Sequence, residues 1–221
     1  MQNKKKIISY AVLTTGAAMF VGTAAYVFST TFRKAVNKLL SKKVKPNSKF
    51  LFIGDSNTKA TFSYADQLKK EFPEAKITKI AENGKNTSWM YKQLLDKFYK
   101  NEKYDVISIL GGSNDISAGV PLNETKMNLD AMFAIASKMA DLVVAISPPN
   151  KNFYEPYTDE QRKKLDELVD WLSKNKNVDY FINFHRITNR KDYFLPSDNF
   201  LHPQAAAHAE LLNEFKQKVI A

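Results

Sequence analysis

Residues 50–58 have the sequence FLFIGDSNT, and this stretch decides the fold class. Its first four residues are all apolar, which is typical of a strand buried on both faces of a parallel sheet. Gly54 ends the strand, and Asp55 and Ser56 follow it directly. A serine just past a strand, where a helix begins, lies near backbone amides that stabilise developing negative charge. Because Ser and Asp are also common turn and N-cap residues, this stretch alone does not assign a function.

Outward from this stretch, short apolar runs alternate with amphipathic segments of helical spacing. The further strands are predicted at residues 77–81, 106–110, 142–146 and 180–184. The helices are predicted at residues 64–72, 88–99, 127–139, 158–172 and 202–219. Strands that alternate with helices pair in parallel through right-handed crossovers. We therefore predict an α/β fold, a three-layer α/β/α sandwich on a five-stranded parallel sheet. In such a sheet the ligand site lies outside the carboxyl ends of the strands.

Glycines and polar residues concentrate at the predicted strand ends. Residues 82–84 (Glu-Asn-Gly) follow the second strand, and residues 111–115 (Gly-Gly-Ser-Asn-Asp) follow the third. Near the C-terminus, residues 197–203 (Ser-Asp-Asn-Phe-Leu-His-Pro) place a histidine at the start of the last predicted helix. Four of the seven glycines, at positions 54, 84, 111 and 112, lie at strand ends. Packing alone does not account for that concentration.

These four segments, in this order, resemble the SGNH (GDSL-type) hydrolase family over roughly residues 49–215. The resemblance implies the flavodoxin-like sheet of that family and makes Ser56, in Gly-Asp-Ser, the nucleophile. It implies His202 as the base that accepts the serine proton. It also implies an oxyanion hole made by the backbone amides of Ser56 and Gly84 and by the side chain of Asn114, in Gly-Ser-Asn-Asp.

The segment around His202 departs from the family pattern. The family's last block is usually Asp-x-x-His, and this spacing leads back from His202 to Asn199, whereas Asp198 is one residue further away. Either a local bulge brings Asp198 to the imidazole, or Asn199 orients the ring. A carboxylate stabilises an imidazolium better than an amide does. We therefore assign Asp198 to this role and keep Asn199 as the alternative.

The activity that the resemblance implies is serine ester hydrolysis through an acyl-enzyme, on lipid or acylated-glycan esters. Asn57 beside the nucleophile, and Phe153 and Tyr154 in an aromatic loop, are the candidate substrate contacts. One alternative is an O-acyltransferase of an envelope polysaccharide, which shares the acyl-enzyme. The other is a non-catalytic, membrane-anchored binding or structural protein that keeps the fold.

No metal or other cofactor is expected. The chemistry does not need one, and His185 and His208 do not form ligand spacing with other His or carboxylate residues. Cysteine is absent, which excludes disulfides and thiolate catalysis.

The basic charge of the chain lies almost entirely in its N-terminal segment. The net charge is +10, and nine of the 33 lysines and arginines lie in residues 1–45, which hold no Asp or Glu. The remainder, with 24 basic and 23 acidic residues, is close to neutral. A nucleic-acid partner is therefore not expected, because nucleic-acid-binding domains concentrate basic residues on the folded surface.

Residues 7–32 contain no charged side chain, and about 20 apolar residues in a helix cross a bilayer. We predict an N-terminal hydrophobic helix that anchors the chain in a membrane as a single span, with a basic juxtamembrane stretch. The predicted organisation is thus residues 1–45 as anchor segment and residues 46–221 as hydrolase domain. A cleaved signal peptide, with secretion, is the alternative. Basic residues flank both ends of the span, so the side of the membrane stays open.

Overall fold

The computed structural model describes residues 42–221. The predicted hydrophobic helix at residues 7–32 and most of the basic stretch lie outside the described residues. Among residues 42–221, no helix combines the length and the apolar character that crossing a bilayer requires.

The described chain forms a five-stranded parallel sheet with the order β2-β1-β3-β4-β5. The strands are β1 Lys49–Gly54, β2 Lys76–Ala81, β3 Tyr104–Leu110, β4 Ala140–Ile146 and β5 Tyr180–Ile182. The helices are α1 Ser56–Lys59, α2 Tyr64–Glu71, α3 Thr87–Tyr99, α4 Ser113–Ser117, α5 Leu122–Met139, α6 Asp159–Ser173, α7 Phe184–Ile187 and α8 Ala205–Val219. Two short 3₁₀ turns lie at Lys191–Tyr193 and Pro196–Asp198.

Helices cover both faces of the sheet. Successive side chains of a strand point to opposite faces, so an apolar strand such as β1 contributes to a core on each side. Phe50 and Phe52 of β1 pack in one core with residues of α2 and α8, such as Leu68 and Phe215. Leu51 and Ile53 pack in the other core, with residues of α3, α5 and α6. The predicted three-layer sandwich and parallel sheet are confirmed.

The strand order places a topological switch point between β1 and β3. The chain moves from β1 to β2 in one direction and then crosses to β3 on the other side of β1. Ligands of open α/β sheets bind at the carboxyl ends of the strands at such a point. The segments after β1 and β3, which begin with Asp55 and Gly111, therefore meet at the edge where a site is expected.

Several predicted boundaries differ from the structure. Helix α5 begins at Leu122, five residues before the predicted start at residue 127. The last helix begins at Ala205, after the N-cap Gln204, so His202 lies in the preceding loop and not in the helix. Pro203 explains this, because a residue before proline is disfavoured in the helical conformation. Strand β5 ends at Ile182 and not at residue 184, because Asn183 caps α7 and its side chain accepts a hydrogen bond from the Arg186 N–H.

Residues 42–44 lie against the amino ends of the strands. The Val44 N–H donates to the Val219 carbonyl at 2.8 Å, and the Tyr180 hydroxyl at the start of β5 donates to the Lys42 carbonyl. The compact unit accordingly runs from Lys42 to Ala221. Its first residues lie on the side of the sheet opposite the carboxyl ends.

Candidate active site

The turn after β1 presents Ser56 at the sheet edge. Asp55 is the N-cap of α1, and its Oδ1 accepts hydrogen bonds from the Asn57 N–H at 2.9 Å and from Asn57 Nδ2 at 2.8 Å. Asp55 is fully buried, and burial raises the pKa of its carboxyl above the usual range. Close packing requires glycine at position 54, since a Cβ there would overlap the Thr58 side chain and lie 2.9 Å from the Leu110 carbonyl oxygen. The buried cap thereby holds Ser56 on the first turn of α1.

Ser56, His202 and Asp198 form a continuous hydrogen-bonded chain. The Ser56 Oγ lies 3.0 Å from His202 Nε2, and His202 Nδ1 lies 2.9 Å from Asp198 Oδ2. The Asp198 carboxylate also accepts the backbone N–H groups of Leu201 and His202, each at 3.2 Å. This arrangement leaves the serine hydroxyl beside a ring nitrogen that can accept its proton, with a carboxylate on the far side of the ring.

A left-handed turn accommodates the unusual spacing between Asp198 and His202. Asn199 and Phe200 have φ angles of 58° and 59°, directly after the 3₁₀ turn that ends at Asp198. The extra residue is absorbed by this turn, so that Asp198, and not Asn199, lies at the ring. A left-handed conformation costs a non-glycine residue about 1–2 kcal/mol, more readily tolerated by Asn than by Phe. The hydrogen bonds that converge on the Asp198 carboxylate offset that strain.

Gly84 and Asn114 lie beside Ser56 on the other side. Gly84 has a φ of +70°, and a Cβ there would meet nothing within 4 Å, so backbone conformation rather than space favours glycine. Asn114 stands in the first turn of α4, and its Nδ2 donates to the Lys85 carbonyl at 2.9 Å. This bond ties the loop after β2 to the loop after β3. Gly84, Asn114, Ser56 and His202 line one cleft, as the resemblance implies.

The carboxyl of Asp115 makes a second connection between the segments that follow β2 and β3. Asp115 is buried and accepts hydrogen bonds from the backbone N–H and the hydroxyl of Thr87, the first residue of α3. Burial raises the pKa of this carboxyl. The orientation of the Gly84 loop therefore depends on a group outside the cleft.

Two clefts meet at Ser56 and His202. The smaller one has a volume of about 190 Å³, and most of its lining residues are of polar types: Ser56, Asn57, Asn83, Gly84, Ser113, Asn114, Ser117, Lys151, Leu201 and His202. The larger one has a volume of about 380 Å³ and more apolar side chains: Ser56, Asn57, Lys59, Ala60, Thr61, Phe62, Asn83, Leu195, Asp198, His202, Pro203 and His208. The site thus offers a narrow space and a wider one.

The loop after β4 contributes a different residue from those predicted. The Phe153 ring packs against Phe194, and the Tyr154 ring packs against Tyr157. Neither lines either of the two clefts at Ser56, whereas Asn57 lines both. Lys151 from this loop lines the smaller cleft, and nothing in its sequence spacing marks it. The lining residues Phe62 and Leu195 were likewise not found from the sequence.

The remaining histidines lie away from any metal-ligand arrangement. His208 is buried among Phe62, Tyr64 and Phe184, and burial lowers the pKa of its ring to about 4. His185 Nε2 lies 3.2 Å from the Asn150 amide nitrogen. Within residues 42–221, no three His or carboxylate side chains stand close enough to hold a metal ion.

Comparison with known proteins agrees with this fold and with the family resemblance. The family model of the GDSL-like Lipase/Acylhydrolase family matches residues 52–210. An acetylxylan esterase from Geobacillus stearothermophilus is 20% identical, with a TM-score of 0.63 over 80% of this chain and 96% of that one. A putative lipolytic protein of the G-D-S-L family from Desulfitobacterium hafniense is 17% identical, with a TM-score of 0.63 over 77% of this chain and 99% of that one. A comparison with curated protein sequences finds no match.

Proposed function

The chain belongs to the GDSL-like lipase/acylhydrolase family and is a carboxylic ester hydrolase, and we propose that it cleaves short-acyl esters of carbohydrate alcohols through an acyl-enzyme on Ser56. The observation that carries the mechanism is the chain of contacts from Ser56 Oγ through His202 to the Asp198 carboxylate, at 3.0 and 2.9 Å. A nucleophile, its base and an orienting carboxylate in this geometry are the parts that acyl transfer needs.

In the first half-reaction, His202 Nε2 takes the proton of the Ser56 hydroxyl while Oγ attacks the ester carbonyl carbon. The carbonyl oxygen becomes an oxyanion, held by the amides of Ser56 and Gly84 and by the Asn114 side chain. Asp198 stabilises the imidazolium. The tetrahedral intermediate then expels the alcohol, which leaves with the proton from His202, and the acyl group stays on Oγ.

In the second half-reaction, water replaces the alcohol. His202 takes a proton from the water, whose oxygen attacks the acyl carbon, and a second oxyanion forms in the same place. Its collapse releases the carboxylic acid and returns the proton to Ser56 Oγ. Both halves use the side chains of Ser56, His202, Asp198 and Asn114, and the only reactants are the ester and water.

The two clefts support a short acyl group and a polar alcohol. The cleft that contains Gly84 and Asn114 has about 190 Å³, less than the 300–1,000 Å³ of ordinary ligand pockets. This volume suits a short acyl group better than a long fatty chain. The wider cleft, with Phe62, Leu195 and Pro203, has room for the alcohol part. The acetylxylan esterase among the proteins of similar fold supports the proposal of an acetylated glycan.

The substrate proposal is tested by turnover of aryl esters with acetyl, butyryl and octanoyl groups. We expect kcat/KM for the acetyl ester to exceed that for the octanoyl ester by about tenfold or more, because the small cleft excludes the longer chain. Release of acetate from an acetylated xylan or another acetylated glycan should follow. A preference for the octanoyl ester would contradict the short-acyl proposal and favour a lipid substrate. Transfer of acetyl to an added sugar in preference to water would instead identify a transferase.

Replacing Asn114 by Ala tests the oxyanion hole. Loss of one donor is expected to lower kcat for an aryl acetate by about 100-fold with little change in KM, since the donor acts mainly on the transition state. The matched control is Asn189→Ala, at an exposed position remote from the clefts. If kcat of the folded Asn114→Ala protein falls by less than about threefold, Asn114 is not an oxyanion donor.

A further inference from the structure

Lys151 is a buried lysine at the active site that the proposed mechanism does not use. Only 4% of its surface is exposed, and lysine is rarely buried to this degree without a partner. Its Nζ donates a 2.6 Å hydrogen bond to the carbonyl of Leu201. This bond joins the loop after β4 to a residue 50 positions later in the chain.

Leu201 is the residue before His202, so the bond acts on the loop that carries the base. The Leu201 N–H is held by the Asp198 carboxylate, and its carbonyl is held by Lys151. The same loop contains the two left-handed residues Asn199 and Phe200. The peptide groups on either side of Leu201 are therefore fixed by two charged side chains, next to a backbone that is strained.

Two carboxylates and one aromatic ring lie around the Lys151 ammonium. Asp55, the N-cap of α1, and Asp198, in the histidine loop, both attract it, and it lies 5.6 Å from the centre of the Tyr154 ring. His202 is the other titratable group of the cleft that Lys151 lines. Burial outweighs the two carboxylates and lowers the pKa of Lys151 to about 8. The ammonium is thus charged at neutral pH and loses its proton in mildly alkaline solution.

We propose that Lys151 is a positioning residue, whose ammonium holds the Asp198–His202 loop in catalytic geometry through the Leu201 carbonyl. This inference rests on the proposed function. A charge-assisted hydrogen bond is stronger than a neutral one, and a neutral side chain of the same length cannot replace it. Without the bond, the strained loop is free to relax, and His202 moves relative to Ser56 Oγ.

The test compares Lys151→Met, which keeps most of the side-chain length and loses the charge, with Lys151→Arg, which keeps the charge. For Lys151→Met, kcat for an aryl acetate is expected to fall between about tenfold and 100-fold with KM nearly unchanged, because small displacements of catalytic groups have effects of this size. Lys151→Arg should recover part of the loss. Lys163→Met, at an exposed position of α6, is the matched control.

The pH profile gives a readout that a purely structural lysine would not change. The charged form of Lys151 is present below its pKa, so kcat of the unmodified chain should decline as the pH rises through about 8. The decline should be absent in folded Lys151→Met and displaced to higher pH in Lys151→Arg. An unchanged decline in Lys151→Met, or a kcat within about twofold of the unmodified chain, would overturn the proposal.

Two further outcomes separate this proposal from its premise. If Lys151→Met loses turnover of an aryl hemisuccinate but keeps turnover of the aryl acetate, Lys151 binds a substrate anion and the positioning role is overturned. If a fluorophosphonate fails to label Ser56 of the unmodified chain, the proposed function fails, whatever the Lys151 variants show. If Ser56 is labelled and the Lys151 variants keep normal activity, the positioning role of Lys151 is overturned and the proposed function stands.

Discussion

Replacing Ser56 by Ala is expected to lower kcat for an aryl acetate by roughly 10⁴-fold or more, the scale seen when a serine nucleophile is removed. The Ser56 hydroxyl is the proposed site of the acyl group, and its Oγ lies 3.0 Å from the His202 ring nitrogen. The oxyanion donors remain in this variant, so a small residual rate above that in water is expected. The measurement is steady-state hydrolysis by the full chain, beside Ser173→Ala as a control at the exposed end of α6.

The melting temperature distinguishes loss of the nucleophile from unfolding of the Ser56→Ala protein. Ser56 stands on the surface of a short helix whose cap, Asp55, is untouched, so the melting temperature should hardly change. Hydrolysis by folded Ser56→Ala at a rate within about tenfold of the unmodified chain would mean that the acyl-enzyme forms elsewhere or not at all.

Replacing Asp198 by Asn is expected to lower kcat by roughly 10³- to 10⁴-fold. The Asp198 carboxylate accepts a hydrogen bond from His202 Nδ1 at 2.9 Å, which keeps Nε2 free to take the serine proton. An amide that donates to Nδ1 would favour the wrong tautomer and would not stabilise the imidazolium. The control is Asn199→Gly, since glycine adopts the left-handed conformation of this position without strain.

The variants Asp198→Asn and Asn199→Gly also decide which of these two residues orients the His202 ring. Asn199→Gly is expected to keep kcat within about threefold, because the loop geometry is retained. A large loss in Asn199→Gly together with near-normal turnover by Asp198→Asn would reverse the assignment. Hydrolysis is measured at several pH values, so that a shift of the pH optimum is not mistaken for a loss of kcat.

The sheet and most of the site could be predicted because both depend on short-range patterns. The run Phe50–Ile53 is apolar on both faces, so it predicts a central strand wherever the rest of the chain lies. Parallel strands all end at one edge, and the residues that follow β1, β2 and β3 must meet there. The positions of Ser56, Gly84 and Asn114 in one cleft follow from this topology.

The rest depends on contacts that local spacing does not encode. The left-handed pair Asn199–Phe200 decides which residue reaches His202, and a phenylalanine in that conformation is not expected from its type. The predicted start of the last helix at residue 202 is wrong, because Pro203 disfavours the helical conformation of the residue before it. Lys151 reaches the site only through the path of the loop after β4, and the aromatic residues of that loop pack elsewhere.

The N-terminal prediction stands apart from the structure. A membrane anchor at residues 7–32 rests on the absence of charge in that run and on the helix length that a bilayer requires. These residues lie outside the described ones, so the anchor and the membrane location stay predictions.

The most direct measurement is labelling of the full chain by a fluorophosphonate, which reacts with activated serines, followed by peptide mass spectrometry. We expect about one label per chain, on Ser56, and strongly slowed labelling in His202→Ala, because the proposed base activates the hydroxyl. Absence of labelling in the folded, unmodified chain, or a label on another serine with Ser56 unmodified, would contradict the account.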